Sequence, residues 1–105
     1  MKFFRVDEEQ ADKQFFRVLG GTGKCQIASM ILKPGQVSGE YGTEHPQSDQ
    51  ILFVMDGNGF ALTESEKTQI GAGDLILIEA GEEHQIGCEG TVPLRTLNFY
   101  SPPAY

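Results

Sequence analysis

The sequence predicts an all-β domain, an antiparallel sandwich or barrel of about eight to ten short strands. Three observations predict it. No stretch of a dozen residues carries apolar positions at helical spacing. The apolar runs are short and rich in strand-forming residues, as in Ile51–Met55, Leu75–Ile78 and Leu94–Tyr100. Turn residues fall between the runs roughly every eight positions, drawn largely from 13 Gly and 5 Pro. Alternate residues of each strand would then line one interior.

Taken in order, Lys2–Val6 alternates weakly and is expected as an edge strand. Asp7–Lys13 is polar, and Asp7 is a plausible N-cap, so a helical turn or an exposed loop is expected there. Phe15–Leu19 reads as a strand and Gly20–Gly23 as the turn after it. Gly23-Lys24 invites a phosphate-loop reading, but the required earlier glycine is Val18 and the required Ser or Thr is Cys25. Cys25–Leu32 is a strand closed by the turn at Lys33-Pro-Gly-Gln. Val37–Glu44 is an irregular approach to the next strand. Ile51–Met55 and Leu75–Ile78 are apolar on both faces, so both are expected to be covered on both sides. Gly59–Thr63 and Lys67–Ile70 form a hairpin around Glu64-Ser-Glu. Asp74 is expected to anchor the turn at Gly71–Asp74 through backbone N–H groups. His84–Cys88 and the long Leu94–Tyr100 complete the set.

Size and charge bound the function. A chain of 105 residues is expected to form a single domain, 1–105. The net charge of −7 and pI near 4.6 disfavour nucleic acid as a partner. No basic stripe and no long apolar run suggests a membrane. The segment after Met1 lacks an apolar signal core, so the cytoplasm is expected. Without a Cys-x-x-Cys pair, Cys25 and Cys88 are expected as free, buried thiols.

Two stretches, each joining an apolar run to a histidine, carry a resemblance. In the second, Gly73 is followed after five residues by Glu79-Ala80-Gly81 and, two residues later, by His84, with Cys88 beyond. In the first, Thr43-Glu-His45 is followed after four residues by Gln50, and after six more by Gly57. These resemble the two motifs of the cupins, small jelly-roll barrels, over about residues 26–100. The departures are Thr43 for the first His, Gln50 for Glu, Glu79 for Pro and Cys88 for Asn. His45-Pro46, Gln50 and the ending Pro93–Pro103 look like a subgroup labelled mannose-6-phosphate-isomerase-like. A second frame makes His45 the first histidine and Gln47 the second, with Gly39 opening the motif.

The resemblance implies a double-stranded β-helix with a divalent transition metal (Zn, Fe, Mn, Ni or Cu) in its pocket, or none. His45, Gln50 and His84 are the implied metal ligands, and Tyr41, Thr43 and Cys88 would face the same pocket. Strand parity puts Tyr41, Thr43 and His45 on one side and Glu44 on the other. Imidazoles suit these metals. The Gln amide is an uncharged, weaker ligand than carboxylate, so Gln50 is read either as a ligand or as a hydrogen-bonder fixing the His45 tautomer. The two histidines also admit a plainer reading, as pocket hydrogen-bonders or surface residues. Glu82-Glu83 fits a solvated turn, and no spacing selects a catalytic nucleophile.

Three functions are compatible with these residues. One is an enzyme whose metal acts as a Lewis acid on a small oxygenated metabolite such as a sugar, keto acid or diketone, by isomerase, dioxygenase or decarboxylase chemistry. Another is a metal-free module that binds or senses a small ligand. The third is a structural dimer with a vestigial pocket. A homodimer is expected under all three; under the third, Phe53, Phe60 and Phe99, on faces opposite the pocket, would pack between sheets or between subunits.

Overall fold

The computed structural model describes residues 1–6 and 15–105. Among the described residues there are eight strands and no helix. They are β1 (Phe16–Gly21), β2 (Gln26–Leu32), β3 (Asp49–Asp56), β4 (Asn58–Leu62), β5 (Lys67–Gly71), β6 (Leu75–Ile78), β7 (Gln85–Cys88) and β8 (Leu94–Ser101). All pair antiparallel, in one sheet of order β1-β2-β8-β3-β6 and a second of order β5-β4-β7. This is the all-β, antiparallel architecture that short alternating runs and frequent turns predict.

Burial alternates as a two-faced sheet requires. In β3 the inward residues are Gln50, Leu52 and Val54; in β8 they are Leu94, Thr96, Asn98 and Tyr100. Leu32, Leu52, Val54, Ile78, Ile86 and Leu94 fill the space between the sheets and are almost wholly buried. Each such side chain stabilises the fold by about 1.5–3 kcal/mol on burial. The chain passes from the large sheet to the small one at Gly57, after a register shift between Val54 and Asp56. Gly57 has φ +89°, and a Cβ there would lie 2.3 Å from the Pro93 carbonyl oxygen. Only glycine fits that close approach.

Several expectations need correction. Lys2–Val6 forms no strand. The segment is tied instead by side chains, Lys2 Nζ donating to the Gly21 carbonyl and the Phe4 ring lying over Gly20. The segment 7–13, expected as a helical turn or loop, lies outside the described residues. Gly20 and Gly21 belong to β1, and the hairpin closes one step later through Thr22 N–H donating to Cys25 O at 2.8 Å. Cys25 is exposed there, not buried; Cys88 is buried, and both are free. The outer faces of β3 and β6 are not covered within one chain: Ile51 is 44% exposed, Leu75 67% and Leu77 64%. Asp74 does anchor its turn, accepting from Gly71 N–H at 2.8 Å.

Candidate functional site

The inner face of β8 changes character along its length, from Leu94 through Thr96 and Asn98 to Tyr100. Cross-strand register sets Tyr100 opposite Gln26 on one side and Gln50 on the other. The polar end of the interior opens into a cavity of about 190 Å³. His45, Gln50 and His84 line it together with Glu40, Glu44, Tyr100 and Tyr105, and Phe15, Phe16, Met30 and Ile86 supply apolar walls.

The structure brings the two histidines together. Their ring centroids are 5.0 Å apart with planes at 43°. His45 is buried, at 6% exposure, in the turn before β3, where Ser48 N–H donates to its carbonyl at 3.0 Å. Its Nδ1 faces the Ser48 carbonyl at 3.4 Å. Ser48 is itself fixed, its hydroxyl donating to Pro102 O at 2.7 Å. His84 precedes β7 and is held by a reciprocal backbone pair with Gly42. Its Nδ1 lies 2.9 Å from the Glu82 carbonyl oxygen, which can only accept. Nδ1 therefore carries the proton and Nε2 keeps its lone pair. Burial, more than any other influence, pushes the His84 pKa below its usual value; nearby His45 adds to this, while Glu82 and Glu44 oppose it. A neutral imidazole with a free Nε2 is the form that binds metal ions.

Gln50 completes the group. Its Nε2 donates to Asn98 Oδ1 at 2.8 Å, and Asn98 Nδ2 donates to Thr96 Oγ1 at 3.1 Å. This chain fixes the amide, and Gln50 Oε1 is left buried with no hydrogen-bond partner. An unsatisfied buried acceptor costs about 1–3 kcal/mol. A cation or a hydrogen-bond donor in the cavity would remove that cost. Gln50 hydrogen-bonds to Asn98 rather than to His45. Among the described residues no three His, Cys, Asp or Glu side chains cluster closely enough to hold a metal. The donors that fit an ion here are thus two neutral imidazoles and one amide oxygen, all uncharged.

Tyr100 and Tyr105 form the opposite wall. Tyr100 packs edge-on against His45 at 5.1 Å and against Tyr105 at 5.2 Å. The two phenol hydroxyls hydrogen-bond to each other. Burial, chiefly, raises both phenol pKa values, and the Glu44 carboxylate raises them further. Both hydroxyls are therefore protonated donors near neutral pH. Gln26 holds Tyr105 in place: Nε2 donates to Tyr105 O at 2.6 Å, while Oε1 accepts from Ala104 N at 3.1 Å and Tyr105 N at 2.9 Å. The Tyr105 ring also rests on Phe16, centroids 4.8 Å apart.

Three residues expected in the pocket lie outside its lining. Tyr41 is 39% exposed. Thr43 keeps a buried hydroxyl with no partner. Cys88 belongs to the apolar core, and its thiol donates to Val92 O at 3.3 Å. Glu44, expected to point outward, lines the cavity. Strand parity fails here because only Val37 and Gly42 of this stretch make β-bridges, and the rest is irregular. Sequence reading missed Tyr100, Tyr105 and Gln26. Alternation within β8 gave a signal for Tyr100, whereas nothing local predicts the Gln26 contact with Tyr105.

Comparisons with known proteins fit this geometry. A cupin domain family model matches residues 28–100. The chain is 33% identical over 60 residues to the uncharacterized protein MJ1618 of Methanocaldococcus jannaschii, covering 57% of this chain and 48% of that one. It is 31% identical over 112 residues to the uncharacterized protein YrkC of Bacillus subtilis, covering 97% and 59%. The chain thus spans between about half and three fifths of the length of these relatives. Among solved structures it is similar to BH2720 from Bacillus halodurans, with 26% identity, TM-score 0.83, and coverage of 99% of this chain and 84% of that one. It is also similar to a putative sugar phosphate isomerase from Acidithiobacillus ferrooxidans, with 25% identity, TM-score 0.66, and coverage of 74% and 50%. With the family model spanning β2 to β8 on a fold of two antiparallel sheets, the chain belongs to the cupin domain family.

Proposed function

We propose that this protein binds one divalent transition metal between His45, Gln50 and His84, and uses the surrounding cavity to bind or transform a small oxygenated metabolite. The observation that carries this reading is the buried, partnerless Gln50 Oε1 in one cavity with two histidines whose rings are 5.0 Å apart. A bound metal would supply Lewis-acid polarisation of a carbonyl or hydroxyl oxygen. The chain's own residues do the rest. Met30, Ile86 and Phe16 keep water from one side of the cavity, and Tyr100 and Tyr105 present phenol groups from the other. A volume of about 190 Å³ is below the roughly 300–1,000 Å³ of drug-sized sites, so the ligand is a molecule of few heavy atoms.

The ligand's charge is constrained as well. Among the described residues the lining contains Glu40 and Glu44 but no Lys or Arg. A phosphate would meet no side-chain cation other than a bound metal. The likeness to a putative sugar phosphate isomerase is therefore one of fold, and an uncharged sugar or carbonyl compound is the favoured ligand class. The resemblance to the mannose-6-phosphate-isomerase-like subgroup is kept in the same sense. A second reading, a metal-free binding module, is favoured by the uncharged donor set.

A second copy of the chain is the proposed cover for Ile51, Leu75, Leu77 and Phe99, which lie on the outer face of the large sheet in cross-strand register. The test of the metal reading is equilibrium dialysis against Zn, Mn, Fe, Ni and Cu, followed by metal quantification. About one ion per chain in the wild type, lost in the H45A/H84A double variant, is expected. Wild type that retains none overturns the metal reading and leaves the binding module.

A further inference from the structure

We infer that Glu44, seated over Gly39 at the edge of the cavity, is the anionic member of the site and offsets the charge of a cation held by His45, Gln50 and His84. The inference rests on the metal reading above and assigns a role to a residue outside that donor set.

The three donors are all uncharged, so an ion held by them keeps its full double charge in a partly buried place. A charge there is costly without a compensating anion. The cavity supplies one. Among the described residues its charged lining side chains are Glu40 and Glu44, both carboxylates. Glu44 is the better placed of the two. Its Oε1 lies 2.8 Å from where a Gly39 Cβ would stand, so the missing side chain at position 39 is the space the carboxylate uses. Its neighbour His45 turns into the same cavity because the segment is irregular rather than pleated. The buried, unpartnered Gln50 Oε1 independently marks the position a cation would take.

Among the described residues no trio of His and carboxylate side chains is close enough to be a ligand set. Glu44 therefore acts across the cavity through its charge. Two consequences follow for the site. Cation affinity depends on a residue that does not touch the ion, and phosphorylated ligands are repelled by the same carboxylate.

The test is calorimetric titration of the metal-free protein with Zn²⁺ or Co²⁺ alone, in low and in high salt. E44Q is expected to bind the ion at least tenfold more weakly than wild type at low salt, with the gap narrowing in high salt as screening removes a through-space effect. E44D is expected to recover most of the affinity. G39A, which sets a methyl against the carboxylate, is expected to weaken binding in the same direction. Melting curves of the metal-free variants establish that each is folded. An E44Q protein that is folded and binds as tightly as wild type overturns the inference while leaving the metal reading intact. A wild type that binds neither ion overturns the metal reading itself.

Discussion

His45 and His84 stand with ring centroids 5.0 Å apart, and each turns its Nδ1 toward a backbone carbonyl, of Ser48 and Glu82 respectively. The pairing fixes both rings from behind, and among the described residues neither Nε2 has a hydrogen-bond partner. Burial, with the neighbouring His45 adding to it, favours the neutral form of His84.

A pH dependence follows from His84. Burial lowers its pKa below 6.5, with His45 adding to the effect. A histidine depressed in the folded state takes up its proton more readily when unfolded. Its contribution to stability is thus present above about pH 6.5 and is lost as pH falls through and below that value. The melting temperature of the metal-free protein is expected to drop between pH 7.5 and 5.5, and to drop less in H84Q. Thermal denaturation monitored by circular dichroism measures it.

Gln50→Glu tests the amide. The substitution places a carboxylate where the partnerless Oε1 now lies. Metal affinity is expected to rise by tenfold or more, as a charged ligand replaces a neutral one. The metal-free protein is expected to lose about 1–3 kcal/mol, since a buried carboxylate must be desolvated beside Asn98. Paired titrations and chemical denaturation check both halves.

Gln26→Ala tests the wall formed by Tyr105. Three hydrogen bonds join Gln26 to residues 104–105. Their loss is expected to destabilise the fold by about 1–3 kcal/mol and to raise amide exchange at the end of the described chain. Hydrogen exchange resolved by residue measures the local effect.

Leu75→Lys with Leu77→Lys tests the second copy. Both leucines are more than half exposed, on the edge strand β6 of the large sheet. Placing charge there is expected to convert a dimeric wild type to monomer without loss of fold. Light scattering after size-exclusion chromatography gives the mass.

The fold was legible because β structure has a short period. Alternation and glycine-marked turns located every strand from β1 to β8 to within a few residues. The first strand expected, Lys2–Val6, failed because side-chain ties at Gly20 and Gly21 replace a backbone ladder there. The site was legible where residues sit at strand ends, as with His45, Gln50 and His84, all of which line the cavity. It was illegible across Val37–Glu44, where parity has no meaning without a ladder. That is why Tyr41 and Thr43 were expected in the pocket and Glu44 outside it, the reverse of what the structure holds. Cys88 keeps the inward direction that alternation predicts, but at the apolar end of the interior, beyond the cavity. Contacts such as Gln26 with Tyr105 join opposite ends of the chain and leave no local pattern.

X-ray absorption spectroscopy of the Zn²⁺- or Co²⁺-loaded protein reads directly whether His45, Gln50 and His84 hold the ion. Scattering is expected from two imidazoles with nitrogen at about 2.0–2.1 Å and from further light atoms that include the Gln50 oxygen, with one imidazole lost in H84A. A loaded protein whose ion shows no imidazole scattering, or shows sulfur from Cys25 or Cys88, would contradict it.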